Sequence, residues 1–68
     1  MQGKTADAQK DLDEAIRLKP TFARAYYNRG INYISLGEQN KSSADLSKAG
    51  ELGIYQAYSV MKQANKNK

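Results

Sequence analysis

Residues Ala23–Gly53 read ARAYYNRGINYISLGEQNKSSADLSKAGELG, and this stretch decides the fold. It divides at Leu36-Gly37-Glu38 into two amphipathic segments of about equal length. In the first, Ala23, Tyr26, Gly30 and Tyr33 form one stripe and Tyr27, Ile31 and Ile34 an adjacent one. Spacings of three and four predict a helix that starts with Thr21 as its N-cap and continues to about Ser35. One stripe suffices for packing on a single neighbour, so two imply burial on one side and a further contact on the other. Gly30 costs about 1 kcal/mol relative to Ala in a helix interior, a sign that another helix approaches closely there. Gly37 suits the left-handed residue that closes a helix. The second segment predicts a helix from about Glu38 to Leu52, with Leu46, Ala49 and Leu52 along its buried face and Ser43 or Ala44 at the edge. Gly53 again suits a left-handed closing position, with Ile54 folding back on Ala49.

On the N-terminal side, Ala8, Leu12, Ala15, Ile16 and Leu18 fall mainly at helical spacing, predicting a helix from Thr5, as N-cap, to Leu18, ended by Pro20. Its other face carries Asp7, Lys10, Asp11, Asp13, Glu14 and Arg17, with Lys10–Glu14 and Asp13–Arg17 spaced to pair at i,i+4. Alternation with Lys and Arg, and the lack of a calcium-loop glycine, make these carboxylates a solvated face rather than a metal site. Gly3-Lys4-Thr5 echoes a phosphate-binding loop but lacks the upstream glycine that such a loop requires. On the C-terminal side, Tyr55 to about Ala64 predicts a short helix with Tyr58, Val60 or Met61, and Ala64 inward, followed by a frayed basic tail.

Composition narrows the function classes. The 68 residues contain no cysteine and no histidine, so neither a disulfide nor a structural zinc site is expected, and packing must supply the stability. A chain this short buries little apolar surface by itself. The net charge of +4 arises mostly from Lys62, Lys66 and Lys68, which leaves the folded part nearly neutral. No apolar run has the length of a membrane span or a signal segment, so no membrane association or secretion is expected. The lack of cysteine fits the cytosol, which we favour, although other compartments tolerate it equally well. Without histidine or cysteine, and with too little chain to enclose a water-excluding pocket, no catalytic residues and no cofactor are assigned.

A shift of 34 residues places Asp11 on Asp45, Leu12 on Leu46, Ala15 on Ala49, Leu18 on Leu52, Ala23 on Ala57 and Gly3 on Gly37, with Ala8 facing Ser42 and Gly30 facing Ala64 as small pairs. Paired helices at this period are the tetratricopeptide spacing. Ala23 to Ile54 resembles one complete tetratricopeptide repeat: Tyr26, Gly30 and Tyr33 stand in the slots of the first helix, and Ser42, Leu46 and Ala49 in those of the second. The resemblance implies an all-α fold of antiparallel helical hairpins in a right-handed solenoid, about four helices in all. Residues 1–20 then resemble the second helix of a truncated repeat, 21–54 a complete repeat, and 55–68 a C-terminal capping helix with its tail. The chain departs from the family pattern at Arg29, where leucine is usual, at Ile54, where proline is usual, and at Gly50, which weakens a helix end. Gln63 and Asn67 fill slots that are normally apolar.

The same resemblance implies a non-catalytic module that binds a peptide or helix of a partner protein in a concave groove. The groove-facing candidates carried over are Arg24, Tyr27, Asn28, Ile31, Ile34 and Ser35. Tyr27, Ile31 and Ile34 are also the second apolar stripe, and exposed apolar groups beside Arg24 and Asn28 suit a peptide. Solenoid repeats bury their faces only against neighbours, and about three are normally needed for stability. Ala8, Leu12 and Ala15 are therefore candidates for self-association, giving a homo-oligomer as the alternative reading. Nucleic acid is a weaker third: Arg24 and Arg29 accompany three tyrosines, yet those tyrosines have packing roles and the folded part is nearly neutral.

Overall fold

The computed structural model describes residues 2–66, with side chains described for residues 7–63. It is all-helical: α1 (Gln2–Leu18), α2 (Ala23–Ser35), α3 (Gln39–Glu51) and α4 (Gln56–Lys66). Each helix packs on the next in chain order, most extensively α2 on α3. The Cα envelope measures 31 × 29 × 15 Å. Its thin dimension fits two layers of helix, since axes lie about 8–10 Å apart and each Cα cylinder adds about 2.3 Å on either side.

The core is made of small residues around one leucine. Leu46, Ala49 and Ala57 are fully buried, and Tyr26, Tyr27, Ile34, Ile54, Val60 and Met61 pack on them. Gly30 makes the α2–α3 contact possible: a Cβ there would lie 2.7 Å from Leu46 Cγ and 2.8 Å from Cδ2. The close approach expected from the sequence is therefore present, and Leu46 is its partner. Gly50 has a role that its low helix propensity conceals. A Cβ at Gly50 would fall among the ring carbons of Tyr58, 2.7 Å from Cε1, so the glycine opens a seat on α3 for α4.

Both helices of the central hairpin close as their glycines predict. Gly37 (φ 77°) and Gly53 (φ 116°) are left-handed. At the end of α3, Ile54 N–H donates to Ala49 O at 2.9 Å and Gly53 N–H to Gly50 O at 3.1 Å, the paired bonds of a Schellman closure. The end of α2 repeats the arrangement, with Glu38 N–H donating to Tyr33 O and Gly37 N–H to Ile34 O.

Several local expectations are corrected. Thr5 lies inside α1, which already begins at Gln2, so it is not the N-cap. Thr21 does not cap α2 either: Phe22 occupies that position, with no side-chain cap bond. The reason is the turn at Pro20, in which Phe22 N–H donates to Lys19 O at 3.0 Å and consumes Thr21 before the helix starts. In α3 the buried edge residue is Ser42, while Ala44 is exposed. The inward placement expected for Ala64 and the frayed tail from Asn67 lie outside the described side chains and residues.

Candidate docking groove

The site is built on a guanidinium. Arg29 projects from α2 between α1 and α3, and its side chain is largely covered. Its Nε donates to Asp45 Oδ2 at 2.7 Å and its Nη2 to Asp45 Oδ1 at 2.9 Å, a fork-on-carboxylate geometry. Its Nη1 donates to Asp13 Oδ1 at 3.0 Å. The hydrogen bonds to Asp45 first, and to Asp13 after it, hold the guanidinium well above the ordinary arginine range, against the opposing effect of burial. With its pKa raised, Arg29 stays charged through its ordinary range, and its stabilising contribution is fully present below that range and lost as pH rises through the raised value.

This pairing also corrects the expected ion pairs of α1. Among the described residues Glu14 pairs with Arg17 three positions on, and Asp13 with Arg29, so neither Lys10–Glu14 nor Asp13–Arg17 forms. Asp13 Oδ1 accepts both from Arg29, reaching across from α2, and from Gln9 Nε2 on its own helix at 3.2 Å. Gln9 and Asn32 add a second polar tie between α1 and α2, Asn32 Nδ2 donating to Gln9 Oε1 at 2.7 Å.

With α1 and α2 fixed in this way, an open groove of about 410 Å³ runs between them. Ala8, Asp11 and Leu12 line it from α1, and Asn28, Ile31, Asn32 and Ser35 from α2. Ile31 is 37% exposed although it is one of the larger apolar side chains of α2. The structure thus brings Asn28, Ile31 and Ser35 together with Ala8 and Leu12. The other sequence candidates lie elsewhere. Ile34 packs on the Leu46 cluster, Arg24 is exposed outside the groove, and Ala15 is half-buried without lining it. Tyr27 lines a smaller cleft of about 270 Å³ between α2 and α4, with Gln56, Ser59, Val60 and Gln63.

The 34-residue shift gives the groove its meaning. In α3, Ser42, Leu46 and Ala49 are sealed, at 2%, 0% and 0% exposure. Their counterparts in α1 are open: Ala8 is exposed, and Leu12 and Ala15 are half-buried. Leu18 is 69% exposed, whereas its counterpart Leu52 is half-buried. The same residue types in the same slots are covered by α2 and α4 on one helix and left without that cover on the other.

Asp11 and Asn32 belong to the groove but were not among the candidates. The signal for Asp11 was available, because the shift that relates Leu12 to Leu46 also relates Asp11 to Asp45. Asn32 lies outside both apolar stripes, and only its position beside Ile31 and Asn28 reveals it. Among the described residues no cluster of acidic or metal-ligating side chains is suited to a metal ion, and no helix is long and apolar enough to cross a membrane.

Comparison with known proteins agrees with the helical architecture. A family profile described as "TPR repeat" matches residues 1–37, more than half of the chain. Over 45 residues, 66% of the chain, the sequence is 38% identical to the serine/threonine-protein phosphatase T of Trypanosoma brucei brucei (strain 927/4 GUTat10.1). The chain spans about a tenth of the length of that relative, 10% of it. No solved structure matches the chain.

Proposed function

The chain belongs to the tetratricopeptide-repeat family, whose members are protein-interaction modules, and on that premise we propose that its α1–α2 groove receives a helix or extended peptide from a partner protein. In this reading residues 1–20 act as the second helix of a repeat, 21–54 as a complete repeat, and 55–68 as a cap. The observation that carries the proposal is the contrast between sealed Leu46 and half-open Leu12 in equivalent slots. Fully burying an exposed large apolar side chain is worth about 1.5–3 kcal/mol, and the part of Leu12 and Ile31 still open offers a partner a fraction of that from each. Asp11, Asn28 and Ser35 around them supply the few polar groups that set orientation.

In this reading the module works without catalysis, as tetratricopeptide repeats generally do. The groove is open, and it contains neither histidine nor cysteine to act as base or nucleophile. The phosphatase relative shares a stretch that amounts to 10% of its length, so a phosphatase activity does not carry over with that stretch.

A second copy of the chain is the competing occupant, because Ala8 and Leu12 line the same groove. A second copy offers no free match: its α2 has Arg29 already engaged by Asp45 and Asp13, and its α4 has Gln63 where α2 has Arg29. A partner protein is the better reading.

The test uses the full chain and, as probe, a capped synthetic peptide with the sequence of residues 21–36, the helix that already seats on the equivalent slots of α3. Ile31→Asp should weaken peptide binding at least tenfold in calorimetric titration, at a temperature where circular dichroism shows the variant folded, since Ile31 is 37% exposed and lines the groove. Equal binding by parent and variant would remove the groove as the site.

A further inference from the structure

The nature of the occupant follows from how the equivalent slots are filled within the chain. On α3, Leu46 lies beneath Gly30, and Asp45, the residue before Leu46, is gripped by Arg29, the residue before Gly30. An arginine next to a small residue on one helix thus reads an aspartate next to a leucine on the other. The α1 groove presents the same aspartate–leucine pair, Asp11 and Leu12. Asp11 is exposed there, and no ion pair engages it among the described residues.

We propose that the α1–α2 groove takes an amphipathic helix of a partner protein that carries an arginine next to a small residue, the arginine pairing with Asp11 and the small residue seating over Leu12. This rests on the interaction reading above and adds the partner's chemistry to it. Charge complementarity favours an arginine over a lysine, because a planar fork can grip both carboxylate oxygens, as Arg29 does on Asp45. The small residue is required for the same reason as Gly30: the leucine beneath it leaves no room for a larger side chain at close helix approach. The α4 helix of a second copy lacks the arginine, having Gln63 in that place.

The experiment is a charge exchange on the full chain. Two capped peptides are compared, one with the sequence of residues 21–36 and one carrying Arg29→Glu, each against the parent chain and against Asp11→Arg. Asp11 is exposed, so the variant should melt at the parent temperature, and circular dichroism checks this. The parent should bind the arginine peptide at least tenfold more tightly than the glutamate peptide, and Asp11→Arg should reverse that order. Equal affinities for both peptides, each lost in Ile31→Asp, would overturn the arginine pairing and leave the interaction reading standing. Failure of both peptides to bind the groove would overturn the two together. Sedimentation of the chain alone as a dimer disrupted by Ile31→Asp would overturn the proposal in favour of a second copy.

Discussion

Arg29 stands in a slot where leucine is usual for the family, and it joins three helices through Asp45 and Asp13. Asp45 is nearly sealed, its side chain 8% exposed, so removing the arginine would leave a carboxylate with no cation in a dry place. Arg29→Ala should therefore cost about 3 kcal/mol in urea unfolding. Replacing both partners, Arg29→Leu with Asp45→Leu, should cost clearly less than the sum of the two single changes, because the desolvated charge goes with its partner. Additive single effects would mean that the pair contributes nothing as a pair. Neither tie was legible as an interaction. Arg29 was visible only as a departure from a pattern, and charges on one helix invite pairing at i,i+4, whereas Asp13 is held by an arginine sixteen residues away. Ranges between helices are set by packing, which spacing along one helix does not encode.

The helices themselves were largely readable, since spacings of three and four, Pro20, and the glycines at 37 and 53 each have a direct conformational meaning. Boundaries were less so, because Thr21 has cap chemistry but the Pro20 turn delays α2 until Ala23. The two helical glycines separate propensity from packing. Gly30→Ala should destabilise by about 1–3 kcal/mol in spite of alanine's better propensity, because Leu46 is fully buried and has nowhere to move. Gly50→Ala meets only the outer end of the Tyr58 ring, which is 44% exposed and can swing into solvent. It should change stability by less than about 1 kcal/mol, the propensity gain offsetting the lost ring contact. At Gly53, with φ of 116°, alanine should cost about 1–2 kcal/mol from backbone strain alone. Thermal melts of the three variants rank them, and Gly50→Ala as the most damaging would contradict the freedom of Tyr58 to swing out of its seat on α3.

At the scale of the whole molecule, two equivalent helix faces have different fates among the described residues: α3 is covered by α2 and α4, and α1 chiefly by α2. Leu46→Ala should cost about 2–5 kcal/mol, much of the stability available to a domain of this size. Leu12→Ala, in the equivalent slot, should cost about 1 kcal/mol or less. A comparable loss for both would mean that the α1 face is covered after all. The internal period made this asymmetry foreseeable, and Ala8 and Leu12 were legible as an undercovered face. That Asn28, Ile31 and Ser35 border the same groove, while Tyr27 and Ile34 turn toward α4 and the core, depends on the rotation of α2 about its axis and could not be read from two adjacent stripes. The most direct measurement is a methyl spectrum of the leucine-labelled full chain during titration with the peptide of residues 21–36. The account predicts that the Leu12 methyl resonances move and those of Leu46 stay in place; unmoved Leu12 resonances at saturating peptide, or movement confined to Leu46, would contradict it.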